Sequence, residues 1–249
     1  MHPEVKANAE RGYALDPDSG ETCTVLGGVR ACFEYRWGEA DRLYERALQL
    51  QPGNATAHMF RAVGSLSRGN ILAAESGFRR AAELDPISAS GCARMAYLHY
   101  VKGDYRSAAE HLKKSFDLDR DYPEARLYDG LLHFQQKDYD GVIQCLSSSS
   151  VPLDIGLMAA AHARKGSESR ARKCIEELSR LAGGQYVTPL AEAFAAIGMG
   201  DHDLAFRRLG EAIEQKTNFV NVLAIEPFFA PLRSDRRFSG LLETLNVPR

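Results

Sequence analysis

Apolar and polar positions along this chain follow the 3.6-residue period of a helix, and the helical pattern itself recurs at a longer interval. A small residue returns at Ala40, Ala74, Ala108, Val142, Ala171 and Ala205, spaced by 34, 34, 34, 29 and 34 residues. With the unit starting at Glu21, Ala55, Ala89, Pro123, Pro152 and Tyr186, position 8 reads Gly28, Ala62, Ala96, Gly130, Ala159 and Ala193. Position 24 reads Tyr44, Phe78, Leu112, Leu146, Ile175 and Leu209. Small residues let two helices approach, and bulky ones fill the groove beside them. Gly69, Gly103, Gly166 and Gly200 at position 15 mark the end of each first helix, where a left-handed residue is needed. Pro52 and Pro86 at position 32 close the second. The pattern predicts an all-α solenoid of six stacked helix-turn-helix units.

Small residues at 8 and 20, a bulky one at 24 and proline at 32 identify the repeats as members of the tetratricopeptide family. The resemblance implies a right-handed superhelix with a concave inner face. The organisation read from the sequence is one solenoid over residues 1–249. A half-repeat helix at 3–20 precedes repeats at 21–54, 55–88, 89–122, 123–151, 152–185 and 186–216, and a capping tail spans 217–249. Residues Pro3 to Leu15 read as a second helix lacking its first, which favours a piece of a longer protein over a half-repeat that begins the stack. Repeat four is short where Ser147-Ser148-Ser149-Ser150-Val151-Pro152 falls. That is either a tolerated shortening or a bend dividing four front repeats from two at the back. In the tail, Phe228, Phe229, Leu232, Phe238, Leu241 and Leu242 are expected to cover the last repeat.

A wider likeness rests on FEYRWGEADRLYERALQLQPGNATAH, the shortened fourth repeat and the ending EPFFAPLRSDRRF. Together they resemble the C-terminal tetratricopeptide region of bacterial multidomain signalling proteins, where it follows a winged-helix domain, a class III cyclase or a kinase domain. The resemblance implies a regulatory interaction module.

Composition narrows the class further. The net charge of −2 argues against a general binder of nucleic acid or anionic membrane, since both need a positive excess. Five cysteines, Cys23, Cys32, Cys92, Cys145 and Cys174, share no spacing and read as reduced thiols of a cytoplasmic protein. No apolar run reaches the roughly 20 residues of a membrane span.

Chemistry finds little purchase. His99, His133 and His162 share position 11 of repeats three to five. Equivalent positions in stacked helices stand about 8–10 Å apart, too far for donors that must sit about 2 Å from a zinc ion. No phosphate-binding glycine loop and no paired nucleophile is present, so the reading is a non-catalytic chain without metal or cofactor. In the family, positions 5, 9 and 12 of the first helix line the concave groove. Here they are Met59, Val63 and Leu66, then Ala93, Tyr97 and Tyr100, then Leu127, Leu131 and Phe134, and in repeat six Leu190, Phe194 and Ile197. The stripe is uncharged, which disfavours the charged clamp some family members use and suits a partner helix or hydrophobic peptide. Three alternatives stay open: a tight superhelix burying the stripe on itself, a self-associating homodimer using Phe219, Phe228 and Phe229, and a small-ligand sensor. Arg61 and Asp129 break the apolar habit of position 7 and are expected to keep their polar ends in water.

Overall fold

The computed structural model describes residues 3–247. Helices form where the apolar period predicts them, and polar caps start most of them. The first helices are α2 (Gly20–Cys32), α4 (Ala55–Ser67) and α6 (Ala89–Val101), capped by Ser19, Asn54 and Ser88, whose side chains accept backbone N–H groups of the first turn. Their partners are α3 (Trp37–Leu50), α5 (Ile71–Leu84) and α7 (Tyr105–Leu118), with Asn70 and Asp104 capping the last two. The fourth pair is α8 (Pro123–Gln135) and α9 (Tyr139–Leu146), the fifth α10 (Pro152–Arg164) and α11 (Glu168–Ala182), the sixth α12 (Pro189–Met199) and α13 (His202–Glu214). Helix α1 (Pro3–Leu15) leans on α2, and α14 (Arg236–Thr244) follows the tail. No strand occurs among the described residues.

Position 15 is left-handed in every repeat. Gly69, Gly103, Gly166 and Gly200 hold φ of 75–79°, and Tyr35 and Lys137 hold 56° and 60° at the same place. The two side-chain-bearing residues accept the roughly 1–2 kcal/mol of this geometry because the hairpin allows no other. Between helices the repeated alanines are sealed, with Ala40, Ala74, Ala108, Ala171 and Ala205 each at most 1% exposed.

The shortened fourth repeat is visible in α9, which has 8 residues where the other second helices have 13 to 15. The break after it is tied down: Ser149 Oγ donates to buried Asp154 Oδ2 at 2.6 Å. Beyond it, α10 and α12 meet backbone to backbone. A Cβ on Gly198 would lie 2.2 Å from Ala160 Cα, and one on Gly156 would lie 2.2 Å from Ala191 O.

The tail takes two directions. Helix α14 does lie on the last repeat, where Arg237 pairs with Asp203 at 2.7 Å and stacks 4.2 Å over the Phe206 ring. Residues 219–232 instead turn inward and run along the concave side. The chain reverses at Phe219, held at φ 76°, and passes through 3-10 turns at Val220–Val222 and Pro227–Leu232. At its far end Leu245 O accepts the Trp37 Nε1 hydrogen at 2.9 Å, so the tail ties the last repeat to the first.

Candidate functional site

The concave stripe is the region that sequence reasoning singled out, and the structure shows it covered. Of the eight groove residues, Val63, Leu66, Tyr97, Tyr100, Leu127 and Leu131 are buried, while Met59 and Phe134 are half-buried. The cover is the chain's own tail. A bare stripe of this length would leave large apolar side chains in water, and the tail removes them at about 25 cal/mol per Å² of apolar surface. Phe228, Phe229 and Leu232, expected over the end of the stack, are at most 2% exposed and sit inside it. The open groove is therefore corrected to a filled one.

Aromatic contacts show how the filling works. Phe228 packs against Phe194 and Phe134, with ring centroids at 4.4 and 4.8 Å. Phe229 meets Phe194 edge-on at 5.7 Å. Phe219 stands 6.0 Å from Tyr97 and 6.3 Å from Phe194, and Tyr97 stacks on Tyr128 at 4.6 Å. Such pairs add about 0.5–1.5 kcal/mol each beyond their buried area.

Polar anchors give the tail its register. Glu226 is completely buried; its Oε2 accepts Tyr97 OH at 2.8 Å, and its Oε1 accepts Tyr100 OH at 2.6 Å and Phe228 N–H at 2.9 Å. Burial raises the Glu226 carboxyl above its ordinary range, against the lowering influence of Tyr100, the Phe228 N–H, Tyr97 and Arg233. Burial, reinforced by the Glu226 charge, also pushes both tyrosines well above their usual values. Nearer the start of the tail, Asn221 Nδ2 donates to Ser67 Oγ at 3.0 Å, and both side chains are buried. The groove tyrosines were visible in the sequence, but their partner was not. The available signal was a hydroxyl pair at i and i+3 in an apolar stripe, which demands a buried acceptor.

The three repeat-aligned histidines do not converge. His99 Nδ1 lies 3.1 Å from Asp104 Oδ2 and His133 Nδ1 lies 2.9 Å from Asp138 Oδ2. Each aspartate uses its other oxygen to cap the next helix, accepting Ser107 N–H or Gly141 N–H. The recurrence at position 11 thus braces the turn. In repeat five Ser167 stands at that cap, and His162 Nδ1 is buried without a partner. Burial lowers the His162 pKa, aided by Arg170 and Lys165. Asp129 finds His133 Nε2 at 3.8 Å on its own helix rather than Arg61. All five cysteines are free thiols. Among the described residues no helix is long and apolar enough to cross a membrane, and no group of three or more His, Cys, Asp or Glu side chains is placed to hold a metal ion.

Stacked helical hairpins around a concave face define an α-solenoid. A tetratricopeptide-repeat family model matches residues 36–89 and 94–141, which identifies tetratricopeptide repeats in that part of the chain. Among solved structures it is similar to the APC/C hetero-tetramer Cut9-Hcn1, with TM-score 0.65 and 17% identity over 97% of this chain. The chain spans 46% of the length of that one. It is also similar to a tetratricopeptide repeat protein from Parabacteroides merdae, with TM-score 0.61 and 14% identity over 97% of this chain and 91% of that one. A third likeness, to pilF of Pseudomonas aeruginosa, has TM-score 0.55 and 17% identity over 87% of this chain and 97% of that one. At these identities the likeness carries the fold. The repeats themselves suggest a protein-interaction scaffold, generally a non-catalytic role.

Proposed function

We propose that this chain is a non-catalytic scaffold that holds a protein or peptide partner on its concave side, as a cytoplasmic regulatory module of bacterial signalling. One observation carries the reading: the stripe already holds a segment of 3-10 turns in cis, through aromatic pockets and a polar anchor. This is the chemistry by which such a wall takes a peptide. The tail buries Phe219, Val220, Val222, Leu223, Phe228, Phe229 and Leu232, and an intramolecular segment competes at high effective concentration. A partner therefore docks on the margin that the tail leaves open, around half-buried Met59 and Phe60, rather than replacing the tail.

The test is capture from native lysate by the wild-type chain beside a Met59→Glu, Phe60→Asp variant with unchanged helix content. A protein retained by the wild type and lost from the variant is the expected result. Equal retention by both, or a wild-type chain that retains only copies of itself in sedimentation, overturns the reading.

A further inference from the structure

We propose that Arg94 anchors an acidic side chain of the partner, and that the partner segment carries an aromatic residue beside that acid. The inference rests on the scaffold reading and concerns the same concave margin.

Arg94 stands at position 6 of repeat three, a place filled elsewhere by Leu26, Phe60, Tyr128, Leu157 and Ala191. A guanidinium in that apolar wall needs a reason. Five arginines of the described residues are half-buried: Arg30, Arg68, Arg94, Arg126 and Arg208. Arg30 pairs with Glu10 and Glu34, Arg68 with Asp41, Arg126 with Asp121, and Arg208 with Glu192 and Glu211. Among the described residues no carboxylate lies within 4.0 Å of Arg94. Its one hydrogen bond runs from Nη1 to Tyr128 OH at 2.5 Å, with the guanidinium 5.9 Å from the centre of that ring. The carboxylate whose field reaches it is Glu124, on the first turn of α8, without forming an ion pair. A guanidinium carries five N–H donors in a fork that matches a carboxylate, so Arg94 keeps most of its donors for an occupant.

The surroundings supply the rest of the recognition. Half-buried Met59 and Phe60 lie on the preceding first helix, and Ser90 Oγ donates to Met59 Sδ at 3.6 Å. The Tyr128 ring that receives Arg94 also stacks on Tyr97, which faces the tail's Phe219. The same wall thus accepts Glu226 followed by Phe228 and Phe229 from within the chain, and Arg94 extends that preference for acid beside aromatic to the uncovered margin. Opposite charge meets opposite charge there, and an apolar shelf lies next to it.

The test uses the full chain and the capped peptide Ac-AIEPFF-NH2, which repeats the tail's acid–aromatic run and has no terminal charge. Calorimetric titration of this peptide and its Glu-to-Gln counterpart is run against the wild type and Arg94→Gln. Charged hydrogen bonds set the expected scale: about 10-fold or more weaker binding for the Gln peptide, and the same loss in Arg94→Gln. Wild-type affinity should fall as salt rises. Equal affinity for the two peptides, no binding at millimolar peptide, or an unchanged Arg94→Gln affinity overturns the proposal. So does a change in Trp37 fluorescence on binding, which would mean that the peptide displaced the tail. Melting of Arg94→Met supplies an independent arm. A cation kept for a ligand predicts a higher Tm on its removal, and a purely structural arginine predicts a lower one. If lysate capture survives Arg94→Gln, the scaffold reading stands and this inference falls.

Discussion

Replacing Glu226 by alanine and, separately, by glutamine isolates the hydrogen bonds that seat the tail from the charge they surround. Both changes remove the buried carboxylate, so the relief of its desolvation is common to the two. Alanine also leaves the Tyr97 and Tyr100 hydroxyls buried without their acceptor, at about 1–3 kcal/mol each. It further strips the cap from Phe228 N–H, at about 1 kcal/mol. Glutamine retains a carbonyl for Tyr100 and Phe228 and an amide facing Tyr97. Alanine should therefore be less stable than glutamine by about 3–7 kcal/mol. Urea unfolding reads this twice: far-UV dichroism follows the repeats, and the single tryptophan, Trp37, follows the tail through its bond to Leu245. Alanine and glutamine variants within about 0.5 kcal/mol of each other would refute the argument. The pH dependence is a second check. Burial raises the folded Glu226 carboxyl despite the donors facing it from α6, the Phe228 N–H and Arg233, so the folded state holds its proton to higher pH than the unfolded chain does. This contribution is full below the ordinary carboxylate range and is lost as pH rises through the raised folded value. Glu226→Gln should remove that slope; a slope that persists in Glu226→Gln belongs to other groups.

Three further outcomes follow from other contacts. Gly198→Ala and Gly156→Ala press a methyl into the facing backbone and should each lose about 1–3 kcal/mol or more in chemical unfolding, whereas Gly210→Ala, with open space around it, should not. Asp138→Ala removes the cap of the shortest repeat helix and the His133 bond; hydrogen exchange over residues 139–146 should speed by about 5-fold or more while α12 is unaffected. His162 is buried with a lowered pKa, so the stability linked to it is present above the ordinary imidazole range and is lost as pH falls toward the folded value. His162→Gln should narrow the gap between melts at pH 7 and pH 5; an unchanged gap assigns it elsewhere.

The repeat was legible because its constraint is local. Position 15 must turn left-handed, and glycine announces this four times, but Tyr35 and Lys137 meet the same demand unannounced. Only the alignment to their neighbours reveals them. The tail was legible as something to bury, through its run of Phe and Leu, but not in its path. Periodicity reports which face of an element is apolar and says nothing about which distant surface will cover it. Glu226 misleads most, because a charge between Ile225 and Pro227 reads as a solvent-exposed loop residue. Its burial follows only from two tyrosines more than a hundred residues away. Position 11 offers the converse lesson: a recurrence resembling a ligand set turned out to be a brace between each histidine and the aspartate five residues later.

The bond between Trp37 and Leu245 spans 208 residues of chain, and it changes the statistics of the fold. An open solenoid behaves as a row of units coupled only to nearest neighbours, able to fray from either end. Here the ends are stitched through the middle, so fraying either terminal repeat also breaks the stitch. Unfolding should then approach a single cooperative step, and folding should be slowed by a contact order well above that of an open array. Evolution is constrained in the same way. A linear stack tolerates the gain or loss of a unit, but in this one a change in repeat number would move Trp37, Ser67, Tyr97 and Phe194 out of register with the segment that threads past them.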